Sequence, residues 1–318
     1  MRVAALFVAF LALTGLSLAA GRNWLTPIAL WQGLAAGPAE DFLIWGLRLP
    51  RVICALTVGA GLGLSGAVFQ SLLRNPLASP DVIGITQGAA FGAVASLLAG
   101  GAAMAGAWGG GLLAMCMIFS LSLTRQQGIE PRRLVLYGIA TGITASAGLN
   151  ILITRAGDAA AGQAMAWLAG SLNGRGWPDA AIAFALFLPI GVGLTAASRV
   201  LDLIELGDDL ARALGTRLAL WRPLLILAAA FLAAGMVAVA GPLAFVAFAA
   251  GPIARGLGRG GPNLPGAAFA GAMLVLLADL AARVLAPSAL LPAGLYTAVL
   301  GAPWLIWVVT RRISHGQL

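Results

Sequence analysis

Three chemically useful side chains are scarce in this sequence of 318 residues, which has one histidine, two cysteines and no lysine. Without clusters of histidine and cysteine, the sequence offers neither a disulfide framework nor the spacing of a metal site. The histidine, His315, lies beside two arginines near the C-terminus, where a solvated tail is the expected environment. We therefore predict no catalytic residues, no cofactor and no metal, and a chain that is not an enzyme.

Charged residues are also scarce, at 9% of the sequence against 60% hydrophobic residues. Soluble domains contain about a quarter charged residues, so this composition indicates an integral membrane protein. All 19 basic residues are arginines. In a membrane protein, an excess of arginine indicates which loops lie in the cytoplasm and does not indicate nucleic-acid binding. We accordingly expect no nucleic-acid partner.

Apolar runs recur along the whole chain, and a membrane-spanning helix needs about 20 such residues. They predict an all-α polytopic membrane protein that forms a single transmembrane domain over residues 1–318. The eighth predicted helix is too short to cross the membrane alone. The third and eighth helices begin or end at Gly or Pro, and such broken helices are tolerated where protein surrounds them. About ten transmembrane helices are predicted, near residues 3–20, 51–72, 83–100, 106–124, 133–154, 180–198, 222–240, 242–254, 266–286 and 291–310.

The arginines test this topology independently of hydropathy. With a cytoplasmic N-terminus, thirteen arginines lie on the inner side of the predicted topology and six on the outer side. The positive-inside rule favours this arrangement, with both termini cytoplasmic. The first apolar run also resembles a secretory signal peptide, but it is long enough to span. A retained helix is the preferred interpretation, and a cleaved leader remains the alternative.

Two glycine-rich stretches match nucleotide-binding patterns without their required context. Residues 61–66 match GxGxxG in the middle of a predicted span, whereas a dinucleotide site needs a strand, a turn and a helix N-terminus in water. Small residues there, with Gly59 and Gly63, favour close packing of helices. Residues 256–262 lack the Lys-Ser/Thr of a phosphate-binding loop. The chain is therefore predicted to have a cytoplasmic loop there and no nucleotide-hydrolysis machinery of its own.

The largest polar segment, residues 199–222, predicts a short amphipathic helix on the inner face. Asp208 and Asp209 precede Arg212, as the helix macrodipole favours. An apolar stripe recurs at spacings of three and four residues, formed by Leu203, Leu206, Leu210 and Leu214. From the residues alone, two interpretations stay open: a connector lying on the membrane, or a helix that docks in the groove of a partner.

Several segments, in order along most of the chain, resemble the FecCD family of permease subunits of binding-protein-dependent ABC importers for iron-siderophores, haem and vitamin B12. Among them are VGAGLGLSGAVFQSLLRNPLASPDVIGITQGA at 58–89, ELGDDLARALG at 205–215 and LPAGLYTAVLGAPWLIWVV at 291–309. The resemblance implies the vitamin-B12-importer-like permease fold and a multi-pass protein of the inner membrane. The implied partners are two cytoplasmic ATP-binding subunits, a periplasmic substrate-binding protein and a second permease copy, identical or related.

The resemblance also implies two groups of cytoplasmic site residues. A coupling segment that contacts the ATPase would contain Gly207, Asp208, Asp209, Ala211, Arg212, Leu214 and Gly215. A gate that closes the inner end of the path would consist of Asn75, Pro76, Leu77, Pro131 and Arg132. The alternative for the first three gate residues is a tight turn that needs Asn and Pro for its geometry. Small polar residues are common in the family where this chain has Pro131 and Arg132.

On the outer side, the resemblance implies that Arg48, Arg51 and Arg283 receive acidic residues of the binding protein. Arginine suits this role because it binds carboxylates bidentately. Headgroup contact is the alternative for all three, and Arg283 also lies one helical turn after Asp279, so a local ion pair competes with docking there.

The cargo is inferred from a single departure from the family pattern. Many relatives have Pro-His in the stretch that corresponds to residues 250–255, and this chain has no histidine there. Variants without it resemble ferric-siderophore permeases, so the expected cargo is an iron(III)-siderophore moved from periplasm to cytoplasm by ATP hydrolysis on the partner subunits. Vitamin B12 or haem is the alternative. From another class, an ion-coupled secondary transporter could use the intramembrane acid Asp279.

Overall fold

The computed structural model describes residues 2–21, 23–124, 128–257, 261–285 and 291–314, and helices make up most of them. A π-helical turn, Leu43–Arg48, runs directly into α3. Within the described residues, the strands β1 (Leu123–Thr124) and β2 (Gly128–Ile129) form one short antiparallel pair. The helices are α1 (Arg2–Ala19), α2 (Pro27–Ala36), α3 (Leu49–Leu72), α4 (Ile85–Leu98), α5 (Ala103–Ser122), α6 (Pro131–Arg155), α7 (Asp158–Leu168), α8 (Trp177–Ala196), α9 (Ser198–Glu205), α10 (Asp208–Ala213), α11 (Leu218–Ala240), α12 (Val246–Leu257), α13 (Leu264–Leu285) and α14 (Ala293–Ser314).

The all-α polytopic fold predicted from the sequence is confirmed. Each of the ten predicted helices is present, as α1, α3 to α6, α8 and α11 to α14, and no end differs by more than four residues. Among the described residues, six helices are long and apolar enough to cross a membrane, and α1, α4 and α12 contribute shorter apolar stretches. His315 and the centre of the expected loop at 256–262 lie outside the described residues.

The helices α2 and α7, which were not predicted, lie in connections between predicted spans. Thr26 caps α2 by accepting a hydrogen bond from the Ala29 backbone N–H, and Pro27 occupies its first position. Asp158 lies in the first turn of α7, where the macrodipole favours an acid. With 10 and 11 residues, both helices are too short to be found by a search for membrane spans.

Helix α3 lies at the centre of the bundle, packed against α8, α11, α12 and α13. Its glycines allow this close approach, since a Cβ atom at Gly59 would collide with the backbone of α13, and one at Gly66 with the backbone of α12. The stretch that matches GxGxxG thus serves helix packing, as predicted.

A chain of polar contacts holds the short helix α12 to α3. The Gln70 side-chain amide donates to the Phe248 carbonyl at 2.9 Å, and Arg255 Nη2 donates to Gln70 Oε1 at 2.6 Å. Interhelical hydrogen bonds of this kind stabilise helix packing in a membrane, because an apolar side chain is buried about equally well against a helix or against lipid. Gln70 therefore fixes α12 close to the end of α3 from which the next hairpin begins.

Candidate functional site

Asp208, the first residue of α10, is surrounded by three arginines from different parts of the chain. Arg222 of α11 donates to both carboxylate oxygens, at 2.7 and 3.1 Å, and is itself only 4% exposed. Arg74 Nη2 lies 2.6 Å from Asp208 Oδ1, and Arg212 lies farther away, at 3.9 Å. Bidentate arginine pairs fix orientation as well as distance, so Asp208 anchors α10 to the membrane domain.

The cluster keeps Asp208 ionised. Hydrogen bonds from Arg222 lower the pKa of the Asp208 carboxyl, partial burial opposes this shift, and the charges of Arg222, Arg74 and Arg212 add to the lowering. A carboxyl whose pKa lies below its usual range is fully charged near neutral pH. The anchor therefore persists at any physiological pH.

Leu210 of α10 and two leucines that flank the helix form an exposed apolar stripe. Leu206, Leu210 and Leu214 are 57%, 56% and 60% exposed, whereas Ala211 is buried toward the membrane domain. Positive φ angles of 114° at Gly207 and 84° at Gly215, which glycine adopts without strain, bound the segment. The apolar stripe expected from the sequence is thus present and uncovered at these three leucines. A short helix held on one side by charge and bare on the other is suited to docking.

The hairpin between α3 and α4 begins with a tight turn directly beside α10. Asn75 Oδ1 accepts from the Leu77 backbone N–H at 2.9 Å, and the Asn75 carbonyl accepts from the Ala78 N–H at 3.1 Å. Arg74 has a φ of 49°, an uncommon left-handed conformation for a residue with a side chain. The turn geometry proposed as the alternative for Asn75 is therefore present, and it directs Arg74 toward Asp208.

The second pair of gate candidates lies at the start of α6. Pro131 occupies the first helical position, Arg132 is exposed, and Arg133 pairs with Glu130 at 2.9 Å. Pro at this position is favoured because its missing N–H is not needed there. The described contacts join the hairpin to α10 through Arg74 rather than to Pro131 or Arg132. The gate itself stays a prediction.

Arg48 lies at the junction of the π-helical turn and α3 and is only 7% exposed. Its Nη1 donates to the carbonyls of Leu18 and Ala19, each at 2.7 Å, and its Nη2 donates to the Asn23 carbonyl at 2.9 Å. The guanidinium thus satisfies backbone acceptors at the C-terminal end of α1, which have no partner within the helix.

The other two outer arginines share one fully buried carboxylate. Arg51 donates to Asp279 Oδ1 from Nε at 3.0 Å and from Nη2 at 2.7 Å, and Arg283 Nη2 lies 3.1 Å from Asp279 Oδ2. Arg283 also donates to the carbonyls of Ser17 and Ala20, at 2.8 and 3.0 Å. The local ion pair considered for Arg283 is present, and Arg51, 228 positions away from Asp279, joins it.

The family of the chain follows from its match to a sequence model. The model of the FecCD transport family matches residues 8–311. The chain belongs to the FecCD transport family. As an importer permease of this type it is a transport component, which sets aside the ion-coupled secondary transporter considered from Asp279.

Curated relatives in the FecCD family match almost the whole chain. The vitamin B12 import system permease protein BtuC of Salmonella typhi is 38% identical over 304 residues, covering 94% of this chain and 91% of that protein. BtuC of Salmonella newport (strain SL254) gives the same identity and coverage.

Solved structures agree with this family. A chain described as an inward-facing conformation of a metal-chelate type ABC transporter superposes with a TM-score of 0.85 at 29% identity, covering 97% of this chain and 98% of that chain. PsaBC from Streptococcus pneumoniae, in complex with Fab, has a TM-score of 0.55 at 18% identity over 87% of this chain and 94% of its own, and so shows likeness of fold alone. The vitamin-B12-importer-like permease fold predicted for this FecCD chain is therefore confirmed.

Two arginines beside Asp208 were not identified as site residues from the FecCD resemblance. Arg74 and Arg222 counted only as cytoplasmic positive charges, yet they provide the closest contacts to Asp208. Arg222 had a signal in the sequence, because a lone charge at the start of a long apolar run requires a partner. Nothing in the sequence distinguished Asp208 from Asp209 as that partner, although only Asp208 lies against the membrane domain and Asp209 is fully exposed.

Proposed function

We propose that this FecCD permease forms the membrane path of an ABC importer that moves a metal chelate from periplasm to cytoplasm, with vitamin B12 as its first candidate cargo. The observation that supports this cargo is the 38% identity to the BtuC proteins across 94% of the chain. Those relatives are named for vitamin B12 import. The iron(III)-siderophore predicted from the missing histidine at 250–255 is the second candidate, and haem is a further alternative.

Energy would enter through α10. Its exposed stripe of Leu206, Leu210 and Leu214 would lie in a groove of a cytoplasmic ATP-binding subunit, with Asp209 and Arg212 at the rim. The buried side, through Asp208, would carry the movement of that subunit into the membrane domain. One face of this short helix is anchored to the membrane domain and the opposite face is uncovered, which supports a role in coupling.

The hairpin would act as the gate that responds to α10. Arg74, which binds Asp208, directly precedes Asn75, Pro76 and Leu77, so displacement of α10 pulls on the tight turn. A rigid turn transmits such a displacement because proline and the Asn75 hydrogen bond limit its freedom. Pro131 and Arg132 would complete the closure, with the equivalent residues of the second permease copy.

The periplasmic binding protein would dock at the opposite end, close to Arg48, Arg51 and Arg283. Arg51 and Arg283 share a single carboxylate, so positive charge remains in excess there and suits an acidic partner. Arg48 is the most buried of the three and already serves three carbonyls, so its contribution would be to hold the end of α1 in place. This arrangement implies cytoplasmic termini and residence in the inner membrane.

Uptake by cells tests the proposed function. A strain that lacks the gene, with and without a restored copy, would be supplied with cobalt-labelled cyanocobalamin or with iron-labelled ferric siderophores. We expect restored cobalamin uptake that disappears on ATP depletion. Restored siderophore uptake instead would keep the importer and replace its cargo. Uptake that survives ATP depletion and stops when the proton gradient is dissipated would contradict the importer.

A further inference from the structure

Pro252 lies inside the short helix α12, where a proline removes one backbone hydrogen bond. In a regular helix, the N–H of residue 252 would donate to the carbonyl of Phe248, four residues earlier. Proline has no N–H, and the Phe248 residue is only 7% exposed. A buried carbonyl without a donor is costly, so such a group in a native structure nearly always has another partner.

A side chain of α3 provides the missing donor. The Gln70 Nε2 group donates to the Phe248 carbonyl at 2.9 Å. Gly251 leaves room for this approach, because a Cβ atom there would collide with Gln70 Oε1. A bond that normally belongs to the helix backbone is thus made by a neighbouring helix. When this one side-chain bond opens, α12 can bend at Pro252 without losing a backbone bond of its own.

The other end of the Gln70 amide leads to the polar segment 199–222. Gln70 Oε1 accepts from Arg255 Nη2 at 2.6 Å, and Arg255 Nη1 lies 3.9 Å from Glu205 Oε1. Glu205 is the last residue of α9, and α10 begins three residues later. Because a guanidinium only donates hydrogen bonds, one orientation of the Gln70 amide satisfies both of its contacts.

We infer that Gln70 is a positioning residue of the transport cycle, which links movement of α9 to bending of α12 at Pro252. The inference rests on the proposed function and adds α12 to the elements on which the ATP-binding subunits act. A shift of Glu205 moves Arg255, and Arg255 draws the Gln70 amide away from the Phe248 carbonyl. This link is separate from the one through α10, because it starts at α9 and ends within α12.

A purely structural role, in which Gln70 only satisfies the Phe248 carbonyl, is the competing explanation. Any donor to that carbonyl would then serve, and Arg255 would contribute nothing to transport. Pro252→Ala separates the two roles, because it supplies a backbone N–H to the same carbonyl. The structural role predicts that Pro252→Ala repairs every defect of Gln70→Met, whereas the link predicts repair of stability alone.

The test uses the complete importer in proteoliposomes, with its ATP-binding subunits and its binding protein. Cyanocobalamin is the first probe, and a ferric siderophore replaces it if the unaltered complex takes up only the siderophore. Two quantities would be measured: cargo molecules taken up per ATP hydrolysed, and the Tm of the purified permease. We expect Gln70→Met to lower both, with uptake per ATP falling about fivefold, a typical size for the loss of a coupling contact. Adding Pro252→Ala to this variant should restore the Tm and leave uptake per ATP low.

Arg255→Met breaks the link and keeps the bond between Gln70 and Phe248. We expect uptake per ATP to fall about fivefold in this variant, with little change of Tm. Arg133→Met is the matched control, since it removes an arginine from another ion pair, 2.9 Å from Glu130. It should leave uptake per ATP within about twofold of the unaltered protein, as expected for an exposed helical pair.

The outcomes separate the link from the proposed function. Low uptake per ATP in Arg255→Met and in the double variant, with the Tm of both retained, would support the link. Uptake per ATP equal to that of the unaltered complex in either variant would overturn the link and assign Gln70 to structure alone. Since Arg255→Met leaves the contact with Phe248 intact, it stays decisive even if Gln70→Met fails to fold. Absence of ATP-dependent uptake of both cargoes by the unaltered complex would overturn the proposed function, and the link with it.

Discussion

Arg74 Nη2 lies 2.6 Å from Asp208 Oδ1, although 134 positions separate the two residues in the sequence. The contact joins the hairpin that carries Asn75 to the first residue of α10. Arg222 holds the same carboxylate from the membrane side, at 2.7 Å. A displacement of α10 that moves Asp208 therefore acts on the hairpin through Arg74.

Removing this link should separate ATP hydrolysis from transport. In Arg74→Gln, we expect uptake to fall about fivefold, since a partly exposed ion pair contributes about 1 kcal/mol. ATP hydrolysis by the assembled complex should be retained, because Arg222 still anchors Asp208. Uptake and hydrolysis would be measured on the same reconstituted preparation.

Arg133→Gln is the matched control for this change. Arg133 is another arginine predicted to lie on the inner side, with a short ion pair 2.9 Å from Glu130, and none of the described ion pairs joins it to α10. Its removal should leave uptake within about twofold of the unaltered protein, as expected for an exposed helical pair. Equal losses of uptake in the two variants would show that Arg74→Gln acts by removing a surface charge in general, not by breaking the contact with Asp208.

The link should be insensitive to pH across the physiological range. Because hydrogen bonds from Arg222 lower the pKa of Asp208, the pair contributes above the unfolded-state pKa of about 4 and is lost only as pH falls through the lower folded pKa. The ratio of uptake by Arg74→Gln to that by the unaltered protein should therefore stay constant between about pH 5 and pH 8. A ratio that rises toward one within that range would contradict an ionised Asp208.

The exposed leucines in and beside α10 predict the strength of ATPase binding. Leu210 is 56% exposed, and burying a leucine in a partner's groove contributes about 1.5–3 kcal/mol. We expect Leu210→Gln to weaken association with the ATP-binding subunits at least about tenfold, as measured by titration in detergent. Leu285→Gln, an exposed leucine at the end of α13, should leave this association unaltered. Equal affinity in both variants would favour a membrane-surface connector for the segment 199–222.

Hydropathy predicted the ten apolar helices because each is a continuous apolar run bounded by polar residues, Gly or Pro. The short helices α2 and α7 were not predicted, because their capping residues are only local signals and neither helix contains an apolar run of membrane-spanning length. Of the contacts of Asp208 and Asp279, only the pair of Asp279 with Arg283 was considered from the sequence. Arg212 and Arg283 lie four residues from their acids, a spacing that a helix brings together. Arg74 and Arg51 reach theirs only through the tertiary packing of α3, which no local pattern contains.

Asp279 should be the acid on which the stability of the outer end depends. It is completely buried between Arg51 and Arg283, and breaking a buried pair on one side costs about 3–5 kcal/mol because the remaining charge is uncompensated. We expect Asp279→Asn to lower the free energy of unfolding by that amount, seen as a lower Tm of the purified protein in detergent. Asp209→Asn, at a fully exposed site, should give no measurable shift. A Tm unchanged in both variants would mean that water enters the cluster.

Binding-protein docking at Arg51 needs a test that leaves no buried charge unpaired. Reversing Arg51 to Glu would put two carboxylates together at a buried site, since Arg51 Nη2 lies 2.7 Å from Asp279. The single variant Arg51→Gln removes this charge, and Asp279 keeps its ion pair with Arg283 at 3.1 Å. If Arg51 contributes charge to docking, this variant should bind the periplasmic protein about fivefold more weakly, with most of the change in the association rate at low salt. Arg175→Gln removes the arginine of another ion pair, with its Nη1 3.4 Å from Asp179, and provides the matched control. Equal affinities in the two variants would assign Arg51 to the packing of α3 on α13 rather than to docking.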